Sequence, residues 1–288
     1  MKRVFNLVDN SFAHDIGATA GKPPKGWVWN RSCTNPEIAT FYTHERIFEA
    51  SGDNCYAMLW ESKAIIPQVY ERAPEVIDRF QYVFTHDKTL LDRFPDKCRF
   101  LPGSGLWVGG SYGLGEVRLY PKNKLLSMVS STKVMCPLHK LRYDIAKALQ
   151  SVKGVDVFIG GGGRGTPGWV PIIKSLEDYM YSVVIENYVD DLFFTEKILN
   201  CFATGVVPIY LGARRIADFF NPEGIITFSS WDELKGIAPT LSLEDYRRRR
   251  EAIADNYRRC QEYDSIEGYL EHHYSDLLPV HLIDEAVA

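Results

Sequence analysis

At 288 residues, with 45% hydrophobic and 24% charged side chains, the chain has the composition of an ordinary globular protein. It holds enough apolar material for two domains of about 100–150 residues each, which argues against a disordered chain. Its 33 basic residues against 37 acidic ones give a net charge of -4, which excludes a global attraction for nucleic acid or anionic membranes and makes any anion site local.

Along the chain, Val4 to Val8 is the first strand-like run, followed by a Gly/Pro/Trp-rich loop around GATAGKPPKGWVW. CYAMLW, ending at Glu61, is a second strand, and Gln68 to Phe80 has the apolar spacing of a helix through Val69, Val76, Ile77 and Phe80. YVFTHD then predicts a strand, a short helix follows near Leu90, and LPGSGLWVGGSYGLG from Leu101 to Gly115 has the composition of an interdomain loop. A second alternation begins at KLLSMVSS, Lys124 to Ser131. It continues through a helix from His139 to Leu149, a strand from Val155 to Ile159, the run GGGGRGTPG and a short helix near Ile173 to Asp178. Strands that are nearly all apolar, alternating with helices in both halves, predict parallel sheets covered on both faces.

The last segment reads as a helix capped by Ser242, with Tyr246, Ile253, Tyr257 and Cys260 on one stripe. Its run Arg247 to Arg250 spreads around that helix among Glu251, Asp255 and Glu262, which favours a solvated face over a nucleic-acid surface. The six cysteines carry no C-x-x-C, so free and mostly buried thiols are expected and no metal site is assigned. No run approaches the roughly 18 apolar residues that span a bilayer, and MKRVFNLVDNSF has no long apolar core. A cytosolic protein without a membrane span is expected.

The stretch YSVVIENYVDDLFFTEKILNCFATGVVPIYLG, Tyr181 to Gly212, concentrates the chemistry. Val183, Val184 and Ile185 form a strand with Glu186 and Asn187 at its carboxyl end, where doubly wound sheets place ligands. Thr195 can cap the next helix, whose stripe is Ile198, Leu199 and Phe202 and whose C′ residue is Gly205. Glu196 and Lys197 then occupy its first turn, beside free backbone N–H groups and a partial positive charge suited to phosphate. On spacing alone, a favourable N-terminal acid with a solvated lysine beside it is an equal reading.

This segment resembles the signature of the α-1,3-fucosyltransferases, glycosyltransferase family 10. That signature runs F-E-N-S, three variable residues, D-Y, one variable residue, T-E-K, then G-x-V-P-V and a closing glycine. Here it reads Ile185-Glu186-Asn187, Thr195-Glu196-Lys197, Gly205-Val206-Val207-Pro208-Ile209 and Gly212, and the likeness covers roughly Leu125 to Leu234. The resemblance implies an α/β protein of the GT-B fold, two Rossmann-like domains with a cleft between them. Residues 1–119 would form the acceptor-binding domain and residues 120–288 the nucleotide-sugar domain with a terminal helix.

It further implies a hexosyltransferase that moves fucose from GDP-fucose to a glycan hydroxyl with inversion, binding the donor without metal or other cofactor. The partners would be a nucleotide sugar and a glycan acceptor, with no nucleic acid. Asn187, Glu196 and Lys197 would hold the donor, with Glu196 near the developing charge of the sugar, while Glu186 orients the loop. The sequence departs from the family at Leu192-Phe193, where Asp-Tyr is usual, so Phe193 replaces a donor-contacting tyrosine. At His139 an arginine that touches the phosphates is usual, and Arg142, one helical turn on, is the substitute cation.

Asp190-Asp191 could also be read as a metal-binding acid pair, the less favoured reading. Arg164, in the glycine run, is placed near the nucleotide, against the alternative of a flexible loop. The base would be a Glu of the first domain after a strand, which Glu61 fits, with His86 and Asp87 in reserve; a surface carboxylate is the alternative for Glu61. His14 and His44 carry no pattern. Two further functions remain open at this point: the same fold with another sugar donor, and a glycan- or nucleotide-binding protein without turnover. A structural protein on a Rossmann scaffold would leave the charged strand end, the capped helix and the glycine-rich loop without a purpose.

Overall fold

The computed structural model describes residues 1–9, 16–160 and 168–283. Two compact units emerge, Met1–Gly105 with Glu262–Ala288, and Leu106–Gln261. The first unit carries strands β1 (Lys2–Val8), β2 (Trp27–Asn30), β3 (Thr40–Thr43), β4 (Cys55–Leu59), β5 (Tyr82–Thr85) and β6 (Cys98–Phe100), with helices α1 (Pro67–Arg72) and α2 (Lys88–Arg93). β2 and β3 both pair in parallel with β1, and β4, β5 and β6 follow β3 in parallel order.

The predicted helix over residues 68–80 is interrupted. α1 ends at Arg72, and two 3-10 turns, Ala73–Glu75 and Ile77–Arg79, replace the rest. Pro74 explains the break: it has no N–H to donate and its ring clashes with the preceding turn. The apolar residues keep their burial all the same, with Val69, Val76, Ile77 and Phe80 all inside the core of this unit.

The domain boundary also differs from the one read in the sequence. It falls at Gly105 rather than residue 119, and the chain after Gln261, including α8 (Ile266–Tyr274) and β12 (Leu282–Ile283), belongs to the first unit. The reason is a set of buried polar contacts. The Glu267 carboxylate, fully buried, accepts hydrogen bonds from the Ala18 N–H and the Trp29 indole, both at 2.6 Å, and Tyr274 donates to the Phe100 carbonyl at 2.9 Å. β12 closes the arrangement by pairing antiparallel with β1.

The second unit contains β7 (Lys124–Ser131), α3 (Pro137–Leu149), β8 (Val155–Gly160), β9 (Tyr179–Ile185), α4 (Glu196–Thr204), β10 (Val207–Leu211) and β11 (Ile226–Thr227). Three further helices follow, α5 (Trp231–Ile237), α6 (Leu243–Arg248) and α7 (Arg250–Arg259). The strand order β11-β10-β9-β7-β8 is parallel throughout. The chain thus turns from β7 to one side for β8 and to the other for β9, which makes the β7/β9 junction the topological switch point where such sheets bind ligands. β9 is buried along its whole length, as expected of a central parallel strand.

α4 forms where the sequence placed it. Thr195 caps its amino end and accepts from the Lys197 N–H, Ile198, Leu199 and Phe202 are buried, and Gly205 ends it at φ 75°. The Val206 N–H returns to the Cys201 carbonyl at 2.9 Å, closing the last turn, and a side chain at Gly205 would be strained. The terminal helix, expected as one piece, is divided at Arg249 into α6 and α7. Ser242 caps α6 as expected, accepting from the Asp245 N–H at 3.1 Å. Of the arginine run, Arg248 and Arg249 pair with Asp245 at 3.4 and 2.9 Å and Arg250 lies beside Glu251, a solvated and locally neutralised face.

Candidate functional site

Glu186 follows β9, and its N–H donates to the Leu211 carbonyl at 2.9 Å, extending the β9–β10 ladder by one residue. This fixes the carboxylate, which has no exposure, directly under the start of α4. It accepts from the Thr195 N–H at 2.9 Å, from the Thr195 hydroxyl at 2.8 Å and from the Lys197 ammonium at 3.1 Å. The Thr195 oxygen accepts in turn from the Lys197 ammonium at 2.8 Å. Its single proton and both of its lone pairs are therefore in use. Burial pushes the Glu186 carboxyl up, while Lys197 and Thr195 pull it back.

Lys197 also reaches Glu196 at 3.2 Å. Burial alone would push its ammonium down, but Glu186 and Glu196 outweigh it and hold the group above its ordinary range. The side chain keeps 26% exposure and that of Glu196 11%, so this ion pair has an open side whereas Glu186 has none.

α3 supplies the opposite wall. Arg142, buried to 7% exposure, donates to the Ile185 carbonyl and to the Ser131 hydroxyl, both at the long distance of 3.3 Å. Its Nε is buried and finds no acceptor among the described residues. Burial draws the guanidinium down from its ordinary value, and Glu186 and Glu196 act against that, so it stays charged. A buried cation with five donors and two long hydrogen bonds is under-satisfied, because each buried polar group without a partner costs about 1–3 kcal/mol.

One turn earlier, His139 is pushed down to about 4 by burial and by Arg142, Lys197 and Lys133, and is a neutral ring. Its Nδ1 accepts from the Met135 N–H at 3.3 Å, which assigns the proton to Nε2. It therefore offers a neutral donor rather than a cation. Asn187 is buried, and its carbonyl accepts from the Cys136 thiol at 3.2 Å, tying the end of β9 to the start of α3.

Glu186, Asn187, Glu196, Lys197, His139 and Arg142 thus gather at the switch point of one sheet. Phe193 does not present a surface to a ligand: it is 1% exposed and lies edge-on to Tyr188 in the packed interior. Its neighbour Phe194 packs on Phe219 and Phe220, so the Leu192-Phe193-Phe194 run anchors the segment before α4. Arg164 and the glycine run around it lie outside the described residues, as does His14. Asp191 faces Arg214 at 3.4 Å, and the Arg214 and Arg215 N–H groups donate to the Asp190 and Asp191 carbonyls at 2.8 and 3.0 Å, a local structural role. The closing Gly212 is explained by space, since a Cβ there would lie 2.7 Å from the Glu186 Cγ. Ser131 and Cys136 were not singled out in the sequence; their only signal is position, at the end of β7 and before α3.

In the first unit, Glu61 stands two residues beyond β4 and His86 and Asp87 directly follow β5. Asp87 caps α2 by accepting from the Leu90 N–H at 2.9 Å and pairs with Lys63 at 2.8 Å. His44, after β3, holds φ at 48° with its ring against Trp60 at 4.3 Å. Tyr70, on α1, joins this group, and no spacing marked it in advance.

The glycosyltransferase family 10 (fucosyltransferase) C-term model matches residues 119–262. Over 102 residues the chain is 29% identical to the alpha-(1,3)-fucosyltransferase FucT of Helicobacter pylori, which covers 34% of this chain and 20% of that protein. Over 92 residues it is 28% identical to an alpha-(1,4)-fucosyltransferase of Arabidopsis thaliana, covering 29% and 23%. The matched segments thus span about a fifth of the length of these relatives. In fold the chain is similar to an alpha1,3-fucosyltransferase crystallised with GDP, at a TM-score of 0.51 and 17% identity over 87% of this chain and 81% of that one. It is also similar to TarM, at 0.54 and 13% over 83% and 54%. Two parallel-sheet α/β units with these neighbours have the GT-B fold. With the family model matching half of the sequence, the chain belongs to glycosyltransferase family 10, the fucosyltransferases.

Proposed function

We propose that this protein is an inverting fucosyltransferase that moves fucose from GDP-fucose to a hydroxyl of a glycan acceptor. The observation that carries the reading is Arg142, a buried guanidinium whose Nε finds no acceptor among the described residues, beside the capped amino end of α4. A diphosphate supplies the acceptors it lacks. Free N–H groups of the first turn, the helix dipole, Lys197 and Arg142 together neutralise such a group without requiring an ion, each charge-assisted hydrogen bond contributing about 1.5–3 kcal/mol.

The Lys197 ammonium donates to Glu186 and Thr195 and forms an ion pair with Glu196. In the proposed donor complex it exchanges the half-open Glu196 contact for a phosphate oxygen and keeps the buried ones. Glu196 is then released toward the sugar, where its charge favours the oxocarbenium-like transition state. His139 adds a neutral Nε2–H donor, and Asn187 completes the donor-facing set.

Transfer then forms a bond from the acceptor oxygen to the anomeric carbon and breaks the bond from that carbon to the phosphate oxygen. GDP leaves with the electron pair and Glu61 takes the hydroxyl proton. Attack opposite the leaving group inverts the anomeric configuration. The test is incubation with GDP-fucose and a panel of oligosaccharides, with mass spectrometry for a product heavier by one deoxyhexose and NMR for its anomeric configuration. An inverted product, absent with Glu61→Gln while GDP affinity persists, supports the reading. Release of a different sugar in a donor screen, or GDP binding without any transfer, contradicts it.

A further inference from the structure

We propose that Tyr70 and His86 are positioning residues for Glu61, clamping its main-chain carbonyl and so fixing the direction of its carboxylate. This rests on the assignment of Glu61 as the base. The Tyr70 hydroxyl donates to the Glu61 carbonyl at 2.5 Å, and the His86 Nε2 lies 3.2 Å from the same oxygen and 3.0 Å from the Tyr70 hydroxyl. Both side chains are buried, and they arrive from different elements, α1 and the end of β5. The carboxylate itself is turned back onto the chain, accepting from the Ser62 N–H at 2.7 Å. Holding the carbonyl and the next amide therefore holds the plane from which the acid projects.

The triangle dictates a tautomer. Tyr70 has one proton, and of the two carbonyls its hydroxyl faces, Glu61 at 2.5 Å and Leu59 at 3.3 Å, the nearer takes it. Were His86 protonated on Nδ1, its Nε2 lone pair would face that carbonyl oxygen at hydrogen-bond distance and repel it. The proton therefore sits on Nε2, shared between the Tyr70 oxygen and the carbonyl. Burial pushes His86 down to about 4, against the raising influence of the Glu61 carbonyl and Asp87 and together with the lowering influence of Lys63. His44, a further titratable neighbour, is itself pushed down to about 3 by burial and by His86. The clamp is thus neutral and intact above about pH 5.

The test compares wild type with His86→Phe, His86→Gln and Tyr70→Phe in the transfer assay, alongside 15N NMR of the imidazole and the 13C shift of the Glu61 carbonyl. We expect the Nε2–H tautomer at neutral pH. His86→Phe and Tyr70→Phe should lower kcat by about 10- to 100-fold with the KM for GDP-fucose within about twofold, as misplacement of a reacting group does. His86→Gln, whose amide can donate from the position of Nε2, should regain most of that loss. A folded His86→Phe protein with kcat within about twofold of wild type, or an Nδ1–H tautomer, overturns the proposal. Should the wild type transfer no fucose, the functional reading fails by itself. The clamp is then judged by NMR: a Glu61 carbonyl shift that moves in His86→Phe and returns in His86→Gln sustains it, and one that never moves refutes it.

Discussion

The polar groups at the strand ends of the two units are built on opposite principles. In the second unit, two carboxylates, Glu186 and Glu196, and two cations, Lys197 and Arg142, act on one another at a helix start, and the Arg142 Nε finds no acceptor among the described residues. In the first unit, Tyr70 and a neutral His86 meet at Glu61 beside the Lys63–Asp87 ion pair, and their hydrogen bonds end on main-chain oxygen. A buried guanidinium short of acceptors is a place for an anion to arrive. Two neutral side chains converging on one carbonyl are a way to hold the carboxylate of that residue still.

The comparison can be broken most forcefully at Lys197. Lys197→Met should weaken GDP binding by about 100-fold or more by calorimetry, and should also lower stability in urea by about 3 kcal/mol, because Glu186 is left buried without its cation. Arg142→Met should weaken GDP binding by about 10- to 100-fold. Its effect on stability should be small or favourable, since it removes a guanidinium that the apo fold leaves under-satisfied. If Arg142→Met destabilised the protein as much as Lys197→Met does and left GDP affinity unchanged, Arg142 would be a structural cation and the contrast would collapse.

Acid sharpens the contrast further. His44, His86 and His139 have folded-state values of about 3, 4 and 4, each depressed below the unfolded value of about 6.5. Between those limits the unfolded chain binds more protons, so stability is complete above about pH 6.5 and is lost as pH falls toward 4. Two of the three lie in the first unit, and thermal denaturation should show a decline on the order of 5 °C or more across this window. A flat profile would mean that these rings are not neutral and buried as described. The smallest effect belongs to the arginine run: Arg250→Ala should change stability by less than about 0.5 kcal/mol and leave GDP affinity unaltered.

The same contrast governs what could be read in advance. The second-unit site was legible because most of it is contiguous: a strand end, a capped helix start and a closing glycine stand within residues 186–212. Local rules of capping and strand burial act over just that range. The burial of Phe193 against Tyr188 was not legible, because spacing says nothing of where a side chain turns. Tyr70 was invisible because its partner is a backbone oxygen nine residues away. The helix over residues 68–80 was read from apolar spacing, which a short helix followed by two 3-10 turns, the first containing Pro74, satisfies equally well. The terminal segment was assigned to the wrong unit because a long-range contact such as Glu267 with Trp29 leaves no local trace.

The most direct test of the account is a crystal structure with GDP bound. It should place the diphosphate against the first turn of α4, with oxygens within hydrogen-bond distance of Lys197 and of the Arg142 guanidinium, and with the Glu186–Thr195 contacts unchanged. A nucleotide bound elsewhere, or one that leaves Lys197 and Arg142 in their present contacts, would contradict it.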